Sequence, residues 1–500
     1  MRSLPYASVY LRVLPRRWSA RPGRPGRPRP RTPCAVPSAP HRGTAAPPRA
    51  ARLITPYGDL DGTVLRVAKR TRSGDRGGVR DIPGPPTQSD SGLSAITAAG
   101  GLHAYQLDLH ERYGPLVRFQ LPGAPSAVSV ADPVLLEATA AVNSRPDRLF
   151  AFLEPLCEAG NLQTLPADEH GPFRRALLSV LAGRRSHEAH FPAFTALATD
   201  LADRWAAAGE VALQQDLSAL SLRMICQYAL GGDIDDPAGV VSAFETVLTV
   251  YLGRGHESDD DLARAEQALA HLRAVVDGVL AAGGSDLVAA LVKADMSAAR
   301  IRDTVLMIML AAHHTTGVAV SWTLHLLARH PDAAARVAAE LDDVLGERPA
   351  PSYADLKRLP YLEMVLKESM RLYPPGPYGA RETTEDLTLG GHPIPAGTTI
   401  FYPFWAVHLN PEHWPDPHAF IPERFTPEAS ASRPRYAYVP FGLGPRSCEG
   451  ASLAMVEAEL VLAVLLKRFR FEPVEGHPVV PVERFVLWAE DDIRMRLTPR

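Results

Sequence analysis

Phe441-Gly442-Leu443-Gly444-Pro445-Arg446-Ser447-Cys448-Glu449-Gly450 sets a cysteine in a glycine-rich loop just ahead of a helical pattern over 449–469. Backbone N–H groups at a helix start favour a thiolate, and Arg446 adds positive charge nearby. Gly444 permits a tight turn, Gly450 permits close backbone approach to a flat ligand, and Phe441 can shield the sulfur from water. A thiolate in an apolar loop suits axial ligation of haem iron, where it pushes electron density toward O–O cleavage. A lone cysteine is more often a buried structural residue. The spacing of its neighbours decides between the two.

Phe441, Gly444, Arg446, Cys448 and Gly450 occupy the fixed positions of FxxGxRxCxG, and in this the chain resembles the cytochrome P450 family. Other motifs in the family's order extend the resemblance over residues 81–500. Glu368-Ser369-Met370-Arg371 matches ExxR, whose ends share a helix face and can close an ion pair. Pro422-Glu423-Arg424-Phe425 supplies a second arginine, so the resemblance implies a structural triad of Glu368, Arg371 and Arg424 that serves folding around haem. His170 and Arg174 match HxxxR, and Arg381 matches the arginine entering the sheet after ExxR. With Arg446 these are the implied partners of the haem propionates. The implied cofactor is haem b, with Cys448 as axial ligand to iron.

The longest helix pattern runs from Ser297 to about His330, and its centre, Val305–Ala312, is apolar all round, as in a helix buried through a core. Arg302-Asp303 and His313-His314 cut the apolar stretch below the roughly 18 residues of a membrane span. Ala311-Ala312-His313-His314-Thr315-Thr316 stands where the family has [A/G]GxxTT. The resemblance makes Thr315 the threonine that guides proton delivery during oxygen activation. His314 replaces the usual acid and Ala312 the usual glycine. A histidine can relay protons because its pKa lies near neutrality, and sterol 14-demethylases also resemble this chain in carrying His before the Thr. Adjacent helical residues point about 100° apart, so His313 and His314 cannot chelate one metal; the alternative is two polar residues satisfied within a buried helix. The resemblance places Phe150, Phe152, Leu248, Ala311, Tyr378 and Phe485 in a substrate pocket, with Leu153, Leu162, Tyr251, Met307 and Leu310 as further candidates. Their apolar character implies a lipophilic substrate.

The chain has 500 residues, 46% of them hydrophobic, and a net charge of −3, which excludes a wholly disordered chain and argues against a nucleic-acid binder. That average joins two populations. The first 50 residues hold 11 Arg, 11 Pro and no acid; the rest hold 42 basic and 56 acidic residues, a net −14. Five Lys against 48 Arg suggests a GC-rich, bacterial genome. Residues 1–80 lack hydrophobic periodicity, and RPGRPGRPRPRTP is too densely broken for helix or strand. This segment reads as a disordered extension or the product of an upstream start-site error; a transit peptide and a basic arm for membrane or nucleic acid are alternatives. Cys34, Cys157, Cys226 and Cys448 form no CxxC pair, which argues against a structural zinc site or disulfide scaffold.

From residue 81 the pattern is mainly α with small β-sheets, a single large domain, and the resemblance implies that it is a haem domain of the P450 fold. A hairpin is expected from Leu116–Leu121 and Ser126–Val130. Helices are expected at 132–141, 186–207, within 211–231, and at about 237–252, 260–282, 331–346, 359–373 and 449–469. Short strands follow near Gly390-Gly391 and Pro395-Ala396-Gly397, with terminal strands near 484–497. The acidic run Glu257–Asp261 reads as a helix start, where carboxylates favour the dipole's positive end.

The implied protein is a soluble bacterial-type haem-thiolate monooxygenase acting on a lipophilic small molecule in secondary metabolism, by hydroxylation or multi-step oxidation. It would use O2 and two electrons. With no room for a fused flavin reductase and no GxGxxG, the donors expected are a ferredoxin and an NAD(P)H-dependent ferredoxin reductase, docking near Arg174, Arg175, Arg184, Arg185 and Lys467. A cytoplasmic location without a stable membrane anchor is expected. A sterol-demethylase-like enzyme cleaving C–C bonds and a haem-thiolate ligand sensor without turnover are the alternatives.

Overall fold

The structure, a computed structural model, describes residues 79–231, 236–251, 258–282 and 285–500. The Arg/Pro-rich extension up to residue 78 lies outside them. The folded body is helical, and its axis is the 32-residue helix Ala298–Arg329. Ser297 caps it by accepting the Arg300 N–H, and its centre from Val305 to Leu310 is buried save for half-exposed Ile308. Helix Leu213–Leu230 packs along it so closely that a Cβ on Gly317 would lie 2.6 Å from the Leu217 carbonyl carbon. Glycine is required there for contact rather than conformation. By length and composition Ala298–Arg329 is able to cross a membrane, contrary to what its charged flanks suggest, yet 72% of its most apolar window is buried inside the protein.

The acidic run does start a helix. Ser258 accepts the Asp261 N–H at 3.2 Å and Asp261 accepts the Ser258 N–H at 3.1 Å, a capping box opening Asp259–Ala281. Several helices escape the sequence pattern. Ala167–Leu181 carries Pro172 inside it, and Leu102–Tyr113 buries His103 and Gln106 beside Leu102, Tyr105 and Leu109, which blurs its apolar stripe. Asp286–Lys293 is a further short helix.

A four-stranded sheet carries one site residue into place. The hairpin Leu116–Leu121 and Ala124–Val130 pairs Leu116 with Val130, and its second strand starts at Ala124, two residues earlier than expected. Ala124–Val130 then pairs parallel to Thr399–Tyr402, which pairs antiparallel to Gly379–Glu382. The register sets Arg381 opposite Ile400 and lets its guanidinium donate to the Leu443 carbonyl at 3.3 Å, in the cysteine loop.

Candidate active site

Helix Pro360–Leu372 brings Glu368 and Arg371 one turn apart, both fully buried. The Arg371 guanidinium donates to both Glu368 carboxylate oxygens, at 2.7 and 2.8 Å, and to the carbonyls of His408, Pro417 and Ala419. Glu368 also accepts the Ile421 N–H at 2.9 Å, and Arg424 lies 3.4 Å from it. Each charge is therefore paired and hydrogen-bonded, as burial demands. The segment over 408–424 is fixed to this pair.

The cysteine loop is built on two close contacts. Gly444 adopts φ +65°, and a Cβ there would sit 1.9 Å from the Ala140 carbonyl oxygen. The Cys448 N–H donates to the Phe441 carbonyl at 2.8 Å, closing the loop before helix Ala451–Arg468. Phe441 is half-buried against the main core. Gly450 has only the Cys448 sulfur near its Cβ position, at 3.9 Å. Protein surrounds Cys448 except toward a cavity onto which it opens, and burial pushes its thiol up to about 11. Glu449 pushes the same way, while the Gly450 N–H, Arg174 and Arg145 act against it. The expectation that Arg446 stabilises a thiolate is corrected: its guanidinium turns to the Asn143 side-chain oxygen at 2.7 Å and to the Leu165 carbonyl. Bound iron would supply the charge that deprotonates this sulfur.

Cys448, Gly450, Leu453 and Ala454 line the cavity together with Met307, Ala311, Ala312 and Thr315 of the long helix. His170, 4% exposed, lines it with its Nε2 3.8 Å from Glu449. Arg174 donates to the Ser447 carbonyl at 2.6 Å and pairs with Glu449. Arg145, absent from the sequence-derived set, also lines the cavity, and its guanidinium donates to the Arg446 carbonyl at 3.1 Å. Four arginines with Glu449 between them leave an excess of buried positive charge, and burial with mutual repulsion lowers Arg145 to about 9 and Arg446 to about 10. A thiol, small residues lining the cavity beside it, and unbalanced cations fit haem b and its two propionates.

On the long helix the Thr315 hydroxyl donates to the Ala311 carbonyl at 2.9 Å, beside the cavity. His314 is not among the residues lining it. Its ring stacks on His313 at 3.8 Å and meets Trp488 edge-on at 5.1 Å. Burial lowers His314 to about 4 and His313 to about 2, so both are neutral near pH 7. Neither ring nitrogen of His313 finds a partner, against the reading of two satisfied polar residues. Thr316, next along, donates to Glu457 at 3.3 Å, and burial raises that carboxyl to about 8. Glu457 was legible as an acid among Leu453, Leu460, Val461 and Val464 on one buried helix face.

Of the pocket candidates, Ala311, Met307 and Leu162 line the cavity. Phe150 lies 5.1 Å beneath the Arg145 guanidinium. Tyr378 donates to Glu483 and its ring packs on Phe401, while Phe485, at φ +66°, packs against the main core; neither lines this cavity. The side chains of Phe152, Leu248 and Tyr251 lie outside the described residues. The expected docking face is less basic than its sequence: Lys467 pairs with Asp342 and Arg184 with Glu188, while Arg175 and Arg185 stay exposed.

Residues 268–496 match the family model "Cytochrome P450". That stretch holds the long helix, ExxR and the cysteine loop, and leaves out His170 and Arg174. The chain is 43% identical over 195 residues to thromboxane-A synthase of Mus musculus, covering 38% of this chain and 37% of that protein. It is 41% identical over 194 residues to cytochrome P450 4F12 of Homo sapiens, with 38% and 37% covered. Cytochrome P450 4c3 of Drosophila melanogaster is 39% identical over 204 residues, 40% and 38% covered. The chain thus matches less than two-fifths of the length of these relatives. The crystal structure of a mutant cytochrome P450DA heme domain superposes with a TM-score of 0.76 at 22% identity, covering 84% of this chain and 98% of that one, which shows a shared fold. These matches overturn the cytoplasmic location: the relatives are animal enzymes of a membrane-bound, microsomal kind. Motif spacing, the family match over residues 268–496 and the shared fold agree in making the chain similar to the cytochrome P450 family.

Proposed function

We propose that the protein is a haem-thiolate monooxygenase that oxidises a lipophilic small molecule. The observation carrying this is that Cys448 and Thr315 line one cavity. Haem, when bound, supplies the reductive activation of O2. Cys448 would hold the iron, and Arg174, Arg381 and Arg446, joined by Arg145, would supply the cationic end for the propionates, with His170 beside them. Thr315, with its hydroxyl on the Ala311 carbonyl, presents a proton-bearing group at the cavity. Apolar neighbours Leu162, Met307 and Phe173 exclude water and hold the substrate. Electrons come from a separate donor, a ferredoxin with its NAD(P)H-dependent reductase, with exposed Arg175 and Arg185 supporting an acidic partner. The C–C-cleaving alternative rested on His314, which does not line the cavity, and a pure sensor would have no use for Thr315. Turnover with NAD(P)H, a surrogate ferredoxin system and isotopically labelled O2 tests the reading: product carrying one labelled oxygen supports it, and reductant-independent ligand binding without oxidised product contradicts it.

A further inference from the structure

Leu156 and Leu162, both buried, anchor a short loop at its two ends, and the Asn161 side chain donates to the Phe150 carbonyl at 2.9 Å across its base. Between these anchors charged side chains hold the loop down. Glu158 pairs with Arg302 of the long helix and lies 3.4 Å from Arg273 of helix Asp259–Ala281. Arg273 also donates to the Pro155 carbonyl at 3.1 Å, and Arg302 to Asp277 at 2.7 Å. Arg300 donates to the Ala159 carbonyl at 3.0 Å, and Asp303 accepts the Ala159 N–H at 2.6 Å. The loop adjoins the cavity along both chains. Leu162 and Gln163 just past it line the cavity, and so do Thr304, Met307 and Ile308 on the turns of the long helix that follow Asp303.

Two opposing effects act on this loop. Asp303 is fully buried, with Oδ2 on the Ala159 N–H and Oδ1 without a hydrogen-bond partner among the described residues. A buried carboxylate oxygen left unpaired is costly, and lifting the loop would admit water to it. Against this stand the pairs of Glu158, whose side chain is 40% exposed, so that they are weak and screened by salt. Gly160, at φ +98° with open space at its Cβ position, supplies a pivot. A buried cost set against a weak clasp is the balance of a two-state element.

We propose that residues 155–160 form a charge-clasped cover on the cavity, with Glu158 as the clasp, and that the cover lifts about Gly160 to admit ligand. The inference goes beyond the monooxygenase reading and needs haem only as a reporter.

The test follows two readouts at pH 8. One is the association rate of 4-phenylimidazole with the ferric holoprotein, by stopped-flow absorbance; the other is hydrogen exchange of the peptide covering 155–161 with no ligand added. Association to the unaltered protein is expected to speed up about threefold to tenfold as sodium chloride rises from about 0.02 to about 0.5 M. Glu158→Gln is expected to show the fast rate already at low salt, to lose the salt response, to raise exchange in 155–161 and to keep the thermal midpoint. Glu188→Gln, whose pair lies within one helix, is expected to behave as the unaltered protein. Equal association and equal exchange in Glu158→Gln and the unaltered protein overturn the cover. A salt response that Glu158→Gln retains in full also overturns it, since the clasp then lies elsewhere. So does a lowered midpoint with unchanged association, because Glu158 then holds the fold and not an entrance. Absence of a haem band in the unaltered protein is a failure of the haem reading, and hydrogen exchange then decides on the cover by itself.

Discussion

Glu368 and Arg371 meet through two parallel hydrogen bonds of 2.7 and 2.8 Å with no exposure to solvent, and three backbone carbonyls and one N–H complete their shell. Removing one partner strands the other charge in the interior, at about 3–5 kcal/mol. Arg371→Ala and Glu368→Ala are both expected to lower the thermal midpoint sharply and to abolish holoprotein yield. Glu188→Ala, which opens the exposed pair with Arg184, is expected to leave the thermal midpoint nearly unchanged. Equal losses in the two experiments would refute this ranking.

Gly317 and Gly444 are held by close contact with Leu217 and Ala140. A methyl at either position forces backbone apart, at about 1–3 kcal/mol, and Gly444 adds the strain of φ +65°. Gly317→Ala is expected to lower the thermal midpoint, whereas Gly278→Ala, with nothing near its Cβ position, is expected to leave it or raise it. Identical midpoints would show that the two long helices can separate freely.

Thr315→Ala is expected to keep NAD(P)H consumption while diverting it to peroxide, because the hydroxyl facing the cavity is lost and the fold is not. Peroxide measured against product gives the coupling ratio. An unchanged ratio would remove Thr315 from oxygen activation.

Burial raises the Glu457 carboxyl from its ordinary 4.5 to about 8, and Glu459 also to about 8. Between those values the folded chain keeps protons that the unfolded chain has released. Their stabilising contribution is full below the ordinary carboxylate value and is lost as pH rises through about 8. Glu457→Gln is expected to flatten the fall in unfolding free energy between about pH 5 and about pH 9, read by urea titration at several pH values. The same slope in the variant would mean that Glu457 ionises normally in the fold.

The cysteine loop was legible in the sequence because five residue types at fixed spacing report a local geometry, and Gly444 shows why one of them is obligatory. The Glu368–Arg371 pair was legible for the same reason, since i and i+3 on a helix must meet. Arg145 was not: its partner Arg446 lies 301 residues away, and nothing local in Ser144-Arg145-Pro146-Asp147 marks a cavity residue. His314 shows that a motif position fixes the backbone and not the ring, which here turns against Trp488. Helix Leu102–Tyr113 was hidden by its buried His103 and Gln106. The cytoplasmic location was the default for a sequence with no convincing signal peptide or anchor, and the membrane-bound relatives overturn it.

The most direct test of a thiolate-bound haem is the reduced carbon monoxide difference spectrum of the protein and of Cys448→Ala. The unaltered protein is expected to show the Soret band at the position of thiolate-ligated haem, and Cys448→Ala to lose it. A band at the position of histidine-ligated haem in the unaltered protein, or a thiolate band that survives Cys448→Ala, would contradict the assignment of Cys448 as the axial ligand.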